Sequence, residues 1–222
     1  MNLDDLNDRE ICLIGTNITI TRQLIKKGFL VNQFGRNTSP SIDFEHKDLK
    51  EKIKKIIDMQ STNKYLIISG FLQSKKIFDQ NKEEISKSFF VNAVGAVLFA
   101  EYLFSQKPNA RLIIIGSESG FKGSFDLSYA LSKSSLKLYV QQKKLKVNQQ
   151  ILLLSPSTID NFGMTLRRTD KDNLKKYKEN HPKKRFLNSS ELIDLIINLF
   201  ASTSYLTNIE ISVNGGKFCL ME

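Results

Sequence analysis

The chain has 222 residues, with 33 Lys and Arg against 23 Asp and Glu, a net charge of +10 at pH 7. A hydrophobic fraction of 41% and a charged fraction of 25% are typical of a soluble globular protein and argue against a disordered chain. Two cysteines, an acidic N-terminus and apolar stretches shorter than the ~20 residues of a membrane span argue against a disulfide scaffold, a secretory signal and a membrane helix. We therefore expect a cytoplasmic protein with a single domain over residues 1–222.

Short apolar runs alternate with amphipathic segments along the whole chain. The predicted strands cover residues 10–14, 29–34, 41–44, 65–69, 112–115, 150–154 and 208–213. The predicted helices cover residues 21–27, 47–59, 89–104, 130–145 and 191–200. This alternation predicts an α/β fold, a doubly wound, mainly parallel sheet of the Rossmann type with helices on both faces.

The stretch 117–133 combines a hydroxyl at a strand end with a Tyr-x-x-x-Lys pair. Ser117 follows the strand 112–115, and Tyr129 and Lys133 are four residues apart, so on a helix they share one face. An ammonium beside a phenol can stabilise the tyrosinate and lower a pKa that starts near ~10. Tyr129 is therefore a candidate acid or base, although two common residues also occur at this spacing by chance.

The segment Ser-Tyr-Ala-Leu-Ser-Lys-Ser-Ser-Leu, residues 128–136, resembles the active-site segment of the short-chain dehydrogenase/reductase family. The resemblance implies that Tyr129 donates the proton, that Ser117 holds the substrate oxygen, and that Lys133 binds the nicotinamide ribose and tunes the tyrosine. It extends from Gly15 to Gly216 and implies a homodimer or homotetramer. The helix 89–104, apolar nearly all round, is expected to pack against the second subunit together with the helix after Tyr129.

Asn92 is a polar side chain inside this apolar helix, and a buried amide must find hydrogen-bond partners. A structural amide bound to a neighbouring strand is one interpretation. The family resemblance implies another, in which Asn92 also holds a water that relays protons to Lys133.

The first strand is followed by the turn Gly-Thr-Asn-Ile-Thr-Ile-Thr, residues 15–21. The family pattern is Gly-x-x-x-Gly-Ile-Gly, so Gly15 and Ile20 match and Asn17 lies between them. Thr19 and Thr21 stand where the second and third glycines let a pyrophosphate approach the helix N-terminus. The resemblance implies that this turn binds the cofactor, with an affinity lowered by the two threonines; a plain connecting loop is the alternative.

The second strand ends at Arg36 and Asn37, where the family selects between its two cofactors. A guanidinium can bind a 2′-phosphate, whereas an acidic residue would bind the 2′-hydroxyl of NAD, so Arg36 favours NADP. An exposed arginine in a turn is the alternative. By the same resemblance Asp43 contacts the adenine amino group.

Three further residues match family positions around the cofactor. Gly70 is retained from an Asn-Asn-Ala-Gly segment whose two asparagines are here Ile67 and Ile68. Pro156 and Ile159 are implied to border the nicotinamide.

The segment 164–187 has nine basic and three acidic residues and lies within the region 161–187, where the family has its substrate lid. It is either a solvated surface or a site for an anionic substrate such as a nucleotide sugar or an acyl carrier. Nucleic acid is a weaker prediction, because no nucleic-acid motif accompanies the charge. His46 and His181 have no ligand pattern around them, so we predict two surface residues and no metal.

Two functions remain open. The first is an NADP-dependent oxidoreductase that transfers a hydride between the cofactor and a carbonyl or alcohol. The second is a non-redox binding or regulatory protein that has lost efficient cofactor binding.

Overall fold

A computed structural model describes residues 9–160, 163–166 and 171–219, the side chains of residues 164 and 171 excepted. It contains one six-stranded sheet in the order β2-β1-β3-β4-β5-β6, and every neighbouring pair of strands is parallel. The strands are β1 Glu10–Ile14, β2 Leu30–Phe34, β3 Lys64–Ile67, β4 Arg111–Ile115, β5 Gln150–Pro156 and β6 Ile209–Val213. The predicted parallel, Rossmann-type sheet is confirmed.

The helices connect these strands. They are α1 Ile18–Lys26, α2 Leu49–Asp58, α3 Lys82–Phe89, α4 Gly95–Gln106, α5 Ser119–Lys122, α6 Leu127–Gln142, α7 Gly163–Leu166, α8 Lys171–Glu179 and α9 Ser189–Phe200. A 3₁₀ turn lies at Ile77–Asp79, and a π-helical turn, Phe90–Val94, joins α3 to α4.

Apolar residues at alternate positions along each strand cover the two opposite faces of the sheet. In β4, Leu112 and Ile114 pack with α2, α4 and α6, whereas Ile113 packs with α1 and α9 on the opposite face. Strands buried on both faces appear as continuous apolar runs, which is why β4 and β5 were predictable from the sequence. The helix faces are equally regular: Ile53, Ile56 and Ile57 of α2 are at most 1% exposed.

The predicted strand at residues 41–44 is wrong, because this segment does not join the sheet. The amide of Ile42 donates to the carbonyl of Gly35, 3.0 Å away, which turns the chain back over the end of β2. The side chains of Ile42 and Phe44 are buried in the core beside α4. Their alternation suggested a strand, but the two apolar residues are buried as a loop that covers the core.

The helix predicted at residues 89–104 is longer than expected, since α3, the π turn and α4 form one continuous helix, Lys82–Gln106. It begins at a capping box in which Asn81 and Glu84 exchange side-chain hydrogen bonds with each other's backbone amides, at 2.8 and 3.0 Å. Of the described helices it is the one long and apolar enough to cross a membrane, and half of its most apolar window is buried in the fold. The core helix of a globular protein has the same properties.

Candidate active site

The residues predicted to act or to bind lie after the strands, at the carboxyl edge of the sheet. Gly15 follows β1, Arg36 follows β2, Gly70 follows β3, Ser117 follows β4, and Pro156 ends β5. Because all six strands are parallel, their carboxyl ends share one edge, where ligands bind in open α/β sheets.

The hydroxyl of Ser117 lies beside the phenol of Tyr129 and acts to lower its pKa. Ser117 lies between β4 and α5, and its Oγ also accepts the amide of Ser119 at 3.1 Å. Tyr129 lies in the first turn of α6 and is 4% exposed. Burial raises its pKa to about 12, the neighbouring Ser117 hydroxyl opposes this rise, and the charges of Asp126 and Glu118 add to it.

Lys133 lies one turn after Tyr129 and is also buried. Its Nζ donates to the carbonyl oxygens of Ile115 at 2.9 Å and of Ser69 at 3.2 Å, which fixes the ammonium between β4 and the segment after β3. Burial lowers the pKa of Lys133 to about 7. An ammonium has three donors, so one of them is left for a ligand.

The electrostatic expectation for this pair is therefore corrected. We expected the ammonium of Lys133 to lower the pKa of Tyr129, but burial dominates at both positions and raises the pKa of the phenol instead. Desolvation disfavours the charged form of each group.

Asn92 lies in the π turn, 1% exposed, and its amide is bound to the segment after β3. Its Oδ1 accepts the amide of Phe71 at 2.7 Å, and its Nδ2 donates to the carbonyl of Phe71 at 2.8 Å and to Ser88 Oγ at 3.1 Å. These bonds give Asn92 the structural role of the first interpretation. A water relay to Lys133 stays a prediction.

The turn after β1 keeps the conformation that a glycine permits. Gly15 has φ +111°, and a Cβ atom there would lie 2.8 Å from Ile68 Cγ1, so another residue would be both strained and crowded. Asn17 caps α1, accepting the amides of Thr19 and Ile20 on its Oδ1 at 3.0 and 3.1 Å.

The third glycine of the family pattern has a hydrogen-bonded substitute. Thr21 Oγ1 donates to the carbonyl of Asn17 at 3.1 Å and contacts Gln33 Oε1 of β2 at 3.2 Å. Gln33 in turn donates to the carbonyl of Gly15 at 3.1 Å. The bulk that we expected to disturb helix and strand packing at Thr21 is therefore accommodated in a polar bridge between α1 and β2.

Arg36 and Asn37 are exposed at the end of β2. They lie beside the first turn, because the amide of Gly15 donates to the carbonyl of Phe34 at 2.8 Å and the side chain of Thr16 packs on Gly35. Asp43 is half-buried, and its Oδ1 accepts the amide of Glu45 at 3.1 Å.

Pro156 and Ile159 frame the exit from β5. The carbonyl of Pro156 accepts the amide of Glu118 at 3.0 Å, which brings this proline next to Ser117. Ile159 is 8% exposed and forms an isolated parallel bridge with Leu187, so the two ends of the region 161–187 are joined. Gly70 is exposed three residues before Gln73.

Only part of the predicted lid lies among the described residues. Arg167, Arg168 and Asp170 fall outside them, as does the side chain of Lys171. Arg185 forms a bidentate ion pair with Glu191 at 2.7 Å, and Lys184 donates to the carbonyl of Glu179 at 3.0 Å. The charged groups of Lys184 and Arg185 are therefore engaged in structural contacts near the C-terminal end of the region 161–187.

The prediction of a surface position is wrong for His181, which is 5% exposed. Its ring packs against Gly215, 2.7 Å from the place of a Cβ atom there, and its Nδ1 accepts the amide of Lys183 at 3.1 Å. Among the described residues no group of three His, Cys, Asp or Glu side chains is placed to hold a metal ion.

Two buried acidic residues next to the catalytic candidates were missed in the sequence. Asp126 caps α6, and Glu118 binds both Lys122 and Lys217 through its Oε1 at 2.9 Å. An Asp three residues before Tyr129 is a helix-start signal that could have been recognised. Glu118 has no comparable signal, because its partner Lys217 lies 99 residues away.

Solved structures of known proteins resemble this chain closely in fold. A short chain dehydrogenase family protein from Francisella tularensis is 19% identical, with a TM-score of 0.78 over 94% of this chain and 98% of its own. A short-chain dehydrogenase/reductase, glucose/ribitol dehydrogenase, from Brucella melitensis is 17% identical, with a TM-score of 0.81 over 95% and 97%. A short-chain dehydrogenase/reductase from Serratia marcescens is 14% identical, with a TM-score of 0.79 over 94% and 97%. No family model and no curated protein sequence matches the chain.

Proposed function

We propose that this chain, which has the fold of the short-chain dehydrogenases/reductases, is an oxidoreductase that transfers a hydride between NADP(H) and a carbonyl or alcohol substrate. The observation that carries the proposal is the Tyr129 phenol beside the Ser117 hydroxyl, with Lys133 one turn behind it at the carboxyl edge of the sheet. A phenol, a hydroxyl and an ammonium in this order suit proton transfer to a carbonyl oxygen.

In the reductive direction Ser117 and Tyr129 both donate hydrogen bonds to the substrate oxygen, which polarises the carbonyl. The nicotinamide, when bound, supplies the hydride to the carbonyl carbon. Tyr129 gives its proton to the oxygen as the negative charge develops there, so that the product is a neutral alcohol. In the oxidative direction the same phenolate removes the proton.

Lys133 stabilises the phenolate that proton transfer leaves on Tyr129. In the cofactor-free chain burial holds its pKa near 7, so an approaching negative charge favours the protonated form. Its remaining donor would reach a ribose hydroxyl. Asn92 contributes by holding the segment after β3. The proposal also includes the water that the family resemblance implies at Asn92, which would relay protons to Lys133.

The residues around the first turn fit a dinucleotide. Gly15, Asn17 and Ile20 would hold the pyrophosphate. The amides of Thr19 and Ile20 now donate to the Asn17 side chain, so the pyrophosphate would share these donors with Asn17. Arg36 and Asn37 would bind the 2′-phosphate. The remaining cofactor contacts would come from Asp43 at the adenine, Gly70 along the chain after β3, and Pro156 and Ile159 at the nicotinamide.

An anionic substrate is the finer part of the proposal. Lys175, Lys176 and Lys178 are exposed on α8, in the region that would cover the substrate side. A nucleotide sugar or an acyl carrier would be attracted to this charge, and a neutral ketone would not. The two free cysteines, Cys12 and Cys219, support the expected cytoplasmic location.

One observation favours the alternative of a non-redox binding protein. The amides that would receive a pyrophosphate are bonded to Asn17, and Thr19 adds a side chain where the family has glycine. Weak or absent cofactor binding would follow from these two features.

The test is a titration of the purified chain with NADPH and with NADH, followed by nicotinamide fluorescence. We expect saturable binding with NADPH tighter than NADH, and we expect Arg36→Asp to lose more affinity for NADPH than for NADH. Lys146→Asp, at an exposed lysine that precedes β5 at the opposite edge of the sheet, is the matched control for the same change of charge. No binding of either cofactor would favour the alternative function, and an unchanged preference in Arg36→Asp would exclude Arg36 as the selecting residue.

A further inference from the structure

Three side chains of the candidate site hold the backbone of one short segment. Lys133 donates to the carbonyl of Ser69, Asn92 binds both the amide and the carbonyl of Phe71, and Asp126 Oδ2 accepts the amide of Gln73 at 2.8 Å. The bound residues are every second one along the chain. In an extended segment, every second residue presents its polar backbone groups to the same side. The segment 69–73 begins the connection from β3 to α3.

Of these three side chains Asp126 makes the most hydrogen bonds in all, four, and it is 1% exposed. Its Oδ1 accepts Ser128 Oγ at 2.7 Å, Gln80 Nε2 at 3.0 Å and the amide of Tyr129 at 3.1 Å. With Gln73 on Oδ2, this one carboxylate bonds the first turn of α6 to both ends of the loop 71–81.

Capping a helix does not require this arrangement. An N-cap needs one acceptor oxygen, and Ser, Thr or Asn supplies it as well as Asp does. Burying a charge has a cost that only a full set of hydrogen bonds offsets. The second oxygen and the bond to Gln80 reach residues 53 and 46 positions away in the chain, so they serve the loop and not the helix.

We propose that Asp126 is a positioning residue for the reaction, which fixes Tyr129 relative to the loop 71–81 and so aligns the phenol with the substrate. This inference rests on the proposed function. It requires no contact between Asp126 and the substrate, since Asp126 acts through the Tyr129 backbone and through the loop.

The charge of Asp126 has a second consequence at Tyr129. The charges that act on this phenol come from Asp126 before it and from Glu118 between β4 and α5, and Lys133 lies one turn later on its own helix. Asp126 and Glu118 both raise the pKa of Tyr129, and Glu118 is already paired with Lys122 and Lys217. Removing the charge of Asp126 would therefore make the phenol easier to ionise.

Asp126→Asn separates positioning from capping. The asparagine carbonyl can replace Oδ1 and keep the cap on Tyr129, but its NH₂ group then faces the amide of Gln73, donor against donor. Asp126→Ser keeps the cap and loses the bonds to both Gln73 and Gln80. Ile196→Val, a buried change in α9 on the opposite face of the sheet, is the control for a general loss of stability.

The first measurement needs neither cofactor nor turnover. Hydrogen exchange followed by mass spectrometry should show that residues 71–81 exchange about tenfold faster or more in Asp126→Asn and Asp126→Ser than in the wild type, as expected for a lost hydrogen bond. In the same variants, NMR of isotope-labelled tyrosine, with Tyr129 assigned by comparison with Tyr129→Phe, should show its pKa lowered. Wild-type exchange in this loop, or an unmoved Tyr129 resonance, would overturn the proposal even if the chain proved not to be an oxidoreductase.

The second measurement uses the active enzyme. We expect kcat to fall about tenfold or more in Asp126→Asn with a smaller change in KM, since misplacement of a reacting group acts on the chemical step. The limb of the pH profile assigned to Tyr129 should move to lower pH. A kcat and a pH profile equal to those of Ile196→Val would show that Asp126 only stabilises the fold.

Discussion

The ring of Phe44 lies against Gly95, in the space that a side chain at position 95 would fill. Phe44 belongs to the loop that replaces the expected strand, and Gly95 begins α4. Gly95→Ala should destabilise the protein by about 1–2 kcal/mol, because overlap with an aromatic ring lies at the upper end of the cost of overpacking, about 2–3 kcal/mol, and the higher helix propensity of alanine offsets ~1 kcal/mol. Urea denaturation measures this change.

The matched variant is Phe44→Leu combined with Gly95→Ala. A smaller side chain at position 44 makes room for the methyl group, so the double variant should lose less stability than the sum of the two single changes. Additive losses, or a Gly95→Ala variant as stable as the wild type, would contradict this packing.

Tyr129→Phe should reduce turnover by about 10²-fold or more while cofactor affinity stays within about twofold, since the change removes only the transferable proton. Tyr139→Phe is a control, because its hydroxyl donates to Glu101 at 2.7 Å, away from the candidate site. A Tyr129→Phe variant that retained a tenth of the activity would exclude Tyr129 as the acid.

Lys133 makes stability depend on pH in a defined direction. Its pKa is about 7 in the folded chain and 10.5 in the reference state, so between these values the unfolded chain binds more protons. Folding therefore releases a proton in this window, so raising the pH favours the folded chain, by up to about 1.4 kcal/mol per pH unit.

Lys133→Met lacks this group and is the reference for the measurement. The free energy of unfolding of the wild type relative to Lys133→Met should rise from pH 7 to pH 9 in urea denaturation. Buried groups common to both proteins, such as Tyr65 and Cys12, whose pKa values burial raises, cancel in the difference. A constant difference would mean that Lys133 is charged throughout the range.

An apolar groove of about 590 Å³ lies between α4 and α6, lined among others by Val94, Val97, Leu98 and Leu138. We propose that a second copy of the chain covers it. Leu138, 65% exposed, lies in this groove, so Leu138→Glu should shift the protein toward the 25.4 kDa monomer in light scattering at micromolar concentration. Tyr205→Glu, at a side chain 94% exposed between α9 and β6, should leave the assembly unchanged. A wild-type monomer would contradict the proposal.

The sheet was predictable because its strands are buried on both faces and appear as continuous apolar runs, as in β4 and β5. The relation of Tyr129 to Lys133 was also predictable, since helical spacing alone puts them on one face. The loop at Phe44 was not, because its apolar alternation suits a strand as well as a covering loop and only the contact with Gly95 distinguishes the two. The pKa values at Tyr129 and Lys133 depend on burial, which spacing does not reveal. The contacts of Glu118 with Lys217 and of Asp126 with Gln73 and Gln80 join residues far apart in the chain, where local patterns carry no signal.

The segment 69–73 is held through its backbone, and every residue except proline offers the same amide and carbonyl. Its side chains are therefore free to change over evolutionary time without loss of the contacts to Lys133, Asn92 and Asp126. Ile67 and Ile68, immediately before it, stand where the resembling family has asparagines, and their side chains pack in the apolar layers on the two faces of the sheet. The anchoring of the segment 69–73 is therefore independent of which amino acids compose it, proline excepted.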